Sequence, residues 1–146
     1  MKVGVLMVCE GNLCRSPMGM ALLAHAMPSL NVQSAGTHTS GGRAADPLAM
    51  QLIEARGLDL RTHVSTLIDE DRVRRSRLIL TMTRDQRNAV HARFPFSQGK
   101  VHRLGEHEGI DIVDPFRHGR FIFELAMIQI EQGISRWLDP IARLSY

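Results

Sequence analysis

The sequence predicts an α/β domain in which helices cover both faces of a twisted, mainly parallel sheet. Two observations support this prediction. Short apolar runs rich in valine, isoleucine and leucine alternate along the chain with longer segments whose apolar residues recur at helical spacing. The chain has 146 residues, about the length of one domain, and contains no repeat, low-complexity tract or linker. Such alternation favours parallel strands joined by helical crossovers.

The first predicted unit is a strand, a tight loop and a helix. Residues 2–8 form a valine-rich apolar run that ends shortly before a Gly-Asn pair, which indicates a buried strand followed by a turn. Ser16 is predicted to cap a helix whose first residue is Pro17, and Pro28 marks the end of that helix. Ligands of parallel α/β folds bind beyond the carboxyl ends of the strands, so this loop is the first candidate site.

The second predicted unit follows directly. A strand is expected at residues 31–35, and the Gly/Ser/Thr-rich segment 36–45 is expected to be a loop. Asp46-Pro47 repeats the cap-and-proline signal and predicts a helix as far as Arg56, with Gly57 placed to end it.

The second half of the chain adds two strands and two helices. The strands are predicted at residues 77–81 and 101–104, and Thr83 with Gln86 has the spacing of a capping box for a helix to about Phe94. A last long helix is expected to bend or end at Pro140. Its core-facing apolar residues are predicted to be Phe121, Leu125, Ile128, Ile130, Ile134, Trp137 and Ile141.

The cysteine and histidine content excludes several classes of protein. Cys9 and Cys14 are the only cysteines, which excludes a disulfide framework and a four-cysteine zinc module. The seven histidines lack ligand spacing, and we expect neither a metal nor a cofactor. The apolar run near the start is too short for a signal peptide, so the sequence predicts a cytoplasmic protein without membrane insertion.

The charge distribution is compatible with anionic ligands. The formal net charge is +3, and every basic residue except Lys2 and Lys100 is an arginine, which also fits a bias of genome composition. The arginine-rich run at residues 72–77 leaves open a nucleic-acid-binding or phosphoprotein-docking module with an inert loop. Five Phe, one Trp and one Tyr offer few platforms for base stacking, so we expect no nucleic acid partner.

The candidate chemistry is concentrated in the loop Cys9-Glu10-Gly11-Asn12-Leu13-Cys14-Arg15-Ser16. Gly11 and Asn12 tolerate positive φ, which lets successive backbone N–H groups point inward as an anion-binding nest before a helix. There, Cys9 would be a thiolate nucleophile, Arg15 would clamp two phosphoryl oxygens and Ser16 would hydrogen-bond the sulfur. The alternative is a buried structural cysteine, but the location between a strand and a helix favours a phosphate-binding nucleophile.

Residues 8–17 closely resemble the N-terminal pattern V-C-x-G-N-x-C-R-S-P of the low-molecular-weight protein tyrosine phosphatase family. A second match lies far downstream at Asp114-Pro115-Phe116, where the family has Asp-Pro followed by an aromatic residue. Further agreement comes from three short segments: Ser34-Ala35-Gly36, Asp46-Pro47 and Leu80-Thr81-Met82. The resemblance implies a single domain over residues 1–146 with a four-stranded parallel sheet.

The resemblance also implies hydrolysis of phosphotyrosine through a phosphocysteine intermediate. Expelling a tyrosyl oxyanion is slow unless the oxygen is protonated as it leaves, because tyrosine has a pKa of about 10. By itself an Asp-Pro pair is more typical of a turn, but the resemblance makes Asp114 the candidate acid. Cys9 would attack phosphorus, Arg15 would stabilise the equatorial oxygens, and Asp114 would act first as acid and then as base toward water.

Two supporting residues are assigned by the resemblance. Asn12 would hold the loop in a left-handed turn, with its side chain paired to His63. Cys14 would be the redox partner of Cys9, closing a reversible disulfide that protects the nucleophile from further oxidation. The simpler role for Cys14 is to fill apolar space beneath the loop.

The predicted cleft residues bear on the substrate. Phe116 would form one wall of a slot for a phenyl ring, with His38 and Arg43 opposite. Leu13 lies where tyrosine-specific members of the resembled family carry an aliphatic residue and protein-arginine phosphatases carry threonine, which favours phosphotyrosine. Glu10 is a carboxylate at the rim and would disfavour acidic peptides.

Two other enzymes on the same fold are alternatives. A protein-arginine phosphatase is the nearer one. An arsenate reductase is less well supported, because that reaction relays electrons through a downstream cysteine pair that this sequence lacks. The resemblance implies a phosphotyrosine protein as partner, such as a bacterial tyrosine autokinase of polysaccharide export, and it leaves the oligomeric state open.

Overall fold

The computed structural model describes residues 2–145. In chain order the elements are β1 (Gly4–Cys9), α1 (Arg15–Ala26), β2 (Asn31–Gly36), α2 (Pro47–Glu54), α3 (Glu70–Arg75), β3 (Leu78–Thr81), α4 (Arg84–Arg93), a short 3-10 helix (Pro95–Ser97), β4 (Val101–Arg103) and α5 (Arg120–Ala142). Within residues 2–145 no helix is both long enough and apolar enough to cross a membrane.

The sheet has four parallel strands in the order β2-β1-β3-β4, which confirms the predicted fold class. β1 lies in the interior of the sheet, where Val5 is in register with Val32 of β2 and Leu78 of β3. All strands point the same way, so the loops that follow them meet at one edge of the sheet. The last residue of β1 is Cys9, which is thereby delivered to that edge.

Alternate residues of β1 face two separate cores, because successive side chains of a strand point to opposite faces. Val5 and Met7 pack in the larger core with α1, α2 and α5. Leu6 and Val8 pack in the smaller core, to which α3 and α4 contribute one valine each. Helices therefore cover both faces of the sheet, as the sequence predicts.

The helix α5 differs from its prediction in which residues it buries. Phe121, Leu125 and Ile128 are exposed, at 76%, 37% and 50% of their surface. The predicted burial of Ile130, Ile134, Trp137 and Ile141 is confirmed, but in the first half of the helix Phe123, Ala126 and Met127 are buried instead. The sequence contains two overlapping apolar stripes, and the longer one covers the sheet because it buries more apolar surface. Pro140 lies inside the helix, which continues to Ala142.

Three other helix boundaries bear on the predictions. Asp46 caps α2 through a hydrogen bond from the Leu48 N–H, as predicted, although α2 ends at Glu54 rather than at Arg56. The predicted capping box of α4 is present. The helix α1 begins at Arg15, so the predicted cap at Ser16 is wrong: the hydroxyl of Ser16 is engaged by the loop that precedes the helix.

The helix α3 was not predicted, and it contains most of the arginine-rich run. Its side chains form ion pairs with carboxylates three or four residues earlier: Arg72 with Asp69, Arg74 with Glu70 and Arg75 with Asp71. Such spacing places opposite charges side by side on one helix face. The carboxylates offset the positive charge of the run, which removes the support for a nucleic-acid-binding patch.

Candidate active site

The sulfur of Cys9 is held by two hydrogen-bonding groups of its own loop. The backbone N–H of Asn12 donates to Cys9 Sγ at 3.2 Å, and the hydroxyl of Ser16 lies 2.9 Å from the same sulfur. Cys9 itself is only 3% exposed. When the sulfur is a thiolate, both groups donate to it and stabilise its negative charge. The predicted contact between Ser16 and the nucleophile is therefore present.

Asn12 organises the loop from its centre. Its φ of 58° is left-handed, as the sequence predicts, and it is fully buried. Its side-chain Nδ2 donates to the hydroxyls of Ser16 at 2.7 Å and Ser34 at 3.0 Å, while Oδ1 accepts from the Thr66 N–H at 2.9 Å. Two segments distant in the sequence, at Ser34 and Thr66, are thus tied to the loop through one amide, both of whose N–H donors are used.

His63 contacts Asn12 in a different way from the prediction. Its Nε2 lies 2.8 Å from the backbone carbonyl of Asn12, to which the ring N–H donates. The side chain of Asn12 is already occupied by its three other partners. The expected pairing of His63 with that side chain is therefore wrong. The contact with the carbonyl still fixes the outer side of the loop.

Close backbone approach requires glycine at the end of β2. A Cβ added to Gly36 would lie 2.6 Å from the carbonyl oxygen of Glu10 and 3.1 Å from Cβ of Asn12. The backbone of the following residues continues this contact, since Thr37 N–H donates to the Cys9 carbonyl and His38 N–H to the Glu10 carbonyl, both at 2.9 Å. The end of the Ser34-Ala35-Gly36 segment therefore packs closely against the loop that follows β1.

Arg15 connects the loop to the segment that carries Asp114. Its side chain is only 5% exposed, with Nη1 donating to the Ile112 carbonyl at 3.0 Å and Nη2 3.7 Å from Asp114 Oδ2. The carboxylate of Asp114 is 53% exposed and also accepts a hydrogen bond from the Phe116 N–H at 3.1 Å. The loop after β1 and the Asp114 segment, which lie far apart in the sequence, therefore meet at the Arg15 side chain.

A cavity of about 260 Å³ opens between these groups. It brings together the predicted nucleophile, phosphate clamp, acid and cleft residues: Cys9, Glu10, Gly11, Leu13, Cys14, Arg15, His38, Arg43, Asp114 and Phe116. The lining of this cavity does not include Asn12, Ser16 or His63, whose contacts hold the loop in its conformation. Within residues 2–145 no cluster of His, Cys, Asp or Glu side chains is arranged to hold a metal ion.

A second cavity, of about 420 Å³, adjoins the first and shares several of its walls. Glu10, Arg15, His38 and Asp114 line both cavities. The second cavity extends toward the start of α4, where Asp85 and Gln86 contribute to its lining. A bound substrate would therefore meet carboxylates on this side of the reacting centre.

Cys14 lies beneath the loop and differs from Cys9 in its surroundings. It is buried, and both cysteines are free thiols. Burial raises the pKa of the Cys14 thiol well above its usual range, and the nearby Asp46 carboxylate raises it further. Cys14 is therefore a neutral thiol at neutral pH, and the loop contains one reactive sulfur rather than two.

Several residues of the site have no signal in the sequence. Thr66 acts through its backbone N–H, and Gln129 of α5 accepts a hydrogen bond from the Val113 N–H at 2.8 Å. Arg103 at the end of β4 contacts Asp111 at 3.1 Å. Contacts between such distant positions leave no spacing pattern that a single sequence could reveal.

The chain is similar in sequence to known phosphatases. The family model described as low molecular weight phosphotyrosine protein phosphatase matches residues 4–145. The chain is 41% identical over 140 residues to the probable low molecular weight protein-tyrosine-phosphatase EpsP of Ralstonia solanacearum, covering 96% of this chain and 97% of that one. It is 37% identical to the low molecular weight protein-tyrosine-phosphatase Wzb of Salmonella typhimurium, covering 94% and 93%.

Solved structures give the same result. The tyrosine phosphatase AmsI of Erwinia amylovora superimposes with a TM-score of 0.90 at 33% identity, covering 98% of this chain and 95% of that one. The YwlE arginine phosphatase of Geobacillus stearothermophilus superimposes with a TM-score of 0.89 at 28% identity, covering 96% and 93%. The shared fold and the match over nearly the whole sequence lead to one conclusion: this chain belongs to the low molecular weight phosphotyrosine protein phosphatase family.

Proposed function

We propose that this protein hydrolyses phosphotyrosine in proteins, with Cys9 as nucleophile, Arg15 as phosphate clamp and Asp114 as general acid and base. The observation that carries this proposal is the single cavity lined by all three side chains. A sulfur that accepts two hydrogen bonds, a buried guanidinium and a half-exposed carboxylate supply the groups that phosphoryl transfer requires.

In the first step the Cys9 thiolate attacks phosphorus in line with the tyrosyl oxygen. A sulfur–phosphorus bond forms as the phosphorus–oxygen bond breaks, and Asp114 donates its proton to the departing oxygen. The guanidinium of Arg15 and the backbone N–H groups of the loop bind the equatorial oxygens, where charge is spread in the transition state. The Nη2 group of Arg15 lies near Asp114 Oδ2, so clamp and acid converge on the same substrate.

In the second step water attacks the phosphocysteine, and Asp114 accepts the proton of that water. The sulfur of Cys9 is now the leaving group, and its negative charge returns to the hydrogen bonds of Ser16 and the Asn12 N–H. Inorganic phosphate is released and the starting thiolate is restored. No metal or cofactor takes part in this scheme.

The walls of the cavity favour an aromatic substrate. Leu13 and Phe116 provide apolar surface at the mouth of the cavity, which suits a phenyl ring better than a guanidinium. Phosphoarginine is the second candidate, because an arginine phosphatase shares the fold at a TM-score of 0.89. Turnover of matched phosphotyrosine and phosphoarginine peptides tests the assignment. We expect phosphotyrosine to be preferred, and a preference for phosphoarginine would overturn it.

The physiological partner is proposed to be a phosphotyrosine protein, specifically a tyrosine autokinase of polysaccharide export, as the resemblance implies. The 41% identity to EpsP, a probable protein-tyrosine-phosphatase, supports a phosphotyrosine protein as the substrate. The Cys9→Ser variant, which keeps the loop but lacks the nucleophile, serves as a substrate trap. Recovery of a phosphorylated tyrosine kinase with Cys9→Ser and not with a Cys9→Ser/Arg15→Ala double variant would support the proposal. Recovery of unphosphorylated proteins alone would contradict it.

A further inference from the structure

The segment that precedes Asp114 is anchored residue by residue. The carboxylate of Asp111 accepts from the Arg103 guanidinium at 3.1 Å and from the Arg84 N–H at 3.0 Å. The Ile112 N–H donates to the Met82 carbonyl at 2.8 Å. The Val113 N–H donates to Oε1 of Gln129 at 2.8 Å. Three consecutive residues are therefore bound to β4, to the segment between β3 and α4, and to α5, while Asp114 itself points toward the cavity.

The contact at Asp111 is made by a buried arginine side chain. The Arg103 side chain is only 7% exposed, and its Nε donates to Glu106 Oε2 at 2.8 Å while Nη1 donates to Asp111. A buried guanidinium is costly unless its charge and its N–H groups are satisfied, and here two carboxylates satisfy them. Arg103 thus joins the end of β4 to the segment of the acid through a directional contact between a buried guanidinium and a half-exposed carboxylate.

Arg15 cannot supply this anchoring by itself during the reaction. Its Nη1 holds the Ile112 carbonyl, but its guanidinium must also bind the phosphoryl group whose charge changes along the reaction. Asp114 is 53% exposed, and a loop residue with so few contacts samples several positions unless neighbouring residues restrain it. Proton transfer to a leaving oxygen requires a donor within about 3 Å of it, so the restraint affects the rate directly.

We propose that Gln129 and the Arg103–Asp111 ion pair are positioning residues for Asp114, holding its carboxylate where the leaving oxygen must be protonated. This inference rests on the proposed function, in which Asp114 is the general acid. Gln129 acts through the backbone of Val113, next to the acid, and Arg103 acts through the side chain of Asp111, three residues before it. Neither Gln129 nor Arg103 lines either cavity, so both act on Asp114 through another residue.

The readout is the dependence of kcat/KM on the leaving group. Phenyl phosphate has a leaving group with a pKa near that of tyrosine, about 10, and needs the acid. The leaving group of 2,4-dinitrophenyl phosphate departs without protonation. The parameter kcat/KM covers the steps up to the first bond cleavage, where Asp114 donates its proton. The ratio of the two kcat/KM values does not change when part of a preparation is unfolded, so a loss of stability cannot imitate the effect.

Two anchor-removing variants, one conservative variant and two matched controls test the proposal. Gln129→Met and Asp111→Ala each remove one anchor, and Gln129→Glu keeps an acceptor oxygen for the Val113 N–H. The controls are Gln132→Met, an exposed position on the same helix, and Asp71→Ala, which removes a carboxylate that is paired with Arg75 on α3. We expect Gln129→Met and Asp111→Ala to lower the phenyl to dinitrophenyl ratio about tenfold, part of the 10²–10⁴ that acid catalysis contributes.

The outcomes separate the anchor from the acid. An unchanged ratio in both anchor variants, or an equal fall in Gln132→Met and Asp71→Ala, would overturn the positioning role. Partial recovery of the ratio in Gln129→Glu would support it. Asp114→Ala is measured alongside. If the phenyl to dinitrophenyl ratio falls in Asp114→Ala but is unchanged in the anchor variants, only the positioning role is overturned. If the ratio is also unchanged in Asp114→Ala, both the acid assignment of the proposed function and the positioning role are overturned.

Discussion

The hydroxyl of Ser16 lies 2.9 Å from the sulfur of Cys9, within the first turn of α1. The same hydroxyl accepts a hydrogen bond from Asn12 Nδ2 at 2.7 Å, which directs its own proton toward the sulfur. One side chain thus links the anion-binding loop, the start of a helix and the nucleophile. The arrangement stabilises the thiolate both before attack on phosphorus and when it leaves the phosphocysteine.

Ser16→Ala is expected to slow hydrolysis of the phosphocysteine, because the departing thiolate loses a donor. Hydrogen bonds to charged groups are worth about 1.5–3 kcal/mol, so kcat should fall about 10- to 100-fold. Rapid-quench kinetics should show a larger burst of phenol release relative to steady turnover. Ser29→Ala, an exposed position after α1, is the control. An unchanged kcat in Ser16→Ala would contradict the role of this hydroxyl.

Asn12→Ala is expected to destabilise the fold more than Asn12→Gly. Both variants leave the part-buried Thr66 N–H and the buried Ser34 hydroxyl without their Asn12 partner, at up to about 1–3 kcal/mol for each unsatisfied group. Alanine is also strained at a left-handed φ of 58°, whereas glycine adopts this φ without strain. Urea unfolding measures the difference. Equal stability of the two variants would show that the left-handed turn is relaxed in solution.

Cys14 is predicted to protect Cys9 during oxidation by peroxide. The Cys9 sulfenic acid would condense with the Cys14 thiol, releasing water and forming a disulfide that added thiol reduces. Because burial raises the pKa of Cys14, this condensation should accelerate as the pH rises, when more of the Cys14 thiolate is present. Wild-type protein should regain activity after thiol treatment and Cys14→Ala should not. Equal recovery of the two proteins would contradict the redox role.

Glu10 is predicted to bias the enzyme against acidic peptides. It lines both cavities, and Asp85 lines the second, so an acidic residue beside the phosphotyrosine would meet like charge. Glu10→Gln should raise kcat/KM for a Glu-flanked phosphopeptide relative to a Lys-flanked one by a factor of about 2 to 5 at low salt, as expected for an exposed charge pair. Asp139→Asn, an exposed carboxylate near the end of α5, is the control. An equal change in the control would contradict a local effect.

The sequence predicts the sheet, the loop after β1 and the contact between Cys9 and Ser16, because each depends on neighbouring residues. It does not predict how α5 is oriented, since Phe121 and Phe123 belong to competing apolar stripes and only the packed core selects between them. The helix α3 has no apolar periodicity in the sequence, because it is formed almost entirely by charged residues that pair at helical spacing.

The sequence does not predict the supporting contacts of the site, for a different reason. The fold brings Thr66 close to Asn12 and Gln129 close to Val113, and in each of these contacts one of the two groups is a backbone N–H. Backbone groups are the same in every residue, so their partners leave no mark in the sequence. For the same reason the resemblance gave the residue that contacts Asn12, His63, but not the atom of Asn12 that it contacts.

The most direct test of the mechanism is detection of the covalent intermediate. Asp114→Ala is mixed with 2,4-dinitrophenyl phosphate, whose leaving group departs without the acid, while hydrolysis of the intermediate lacks its base; the reaction is quenched within the first turnovers and mapped by mass spectrometry, with Cys9→Ala treated in parallel. We expect a phosphoryl group on the peptide that contains Cys9, formed before steady turnover and absent from Cys9→Ala. Hydrolysis that proceeds with no phosphoryl group on Cys9 at any quench time would contradict the mechanism.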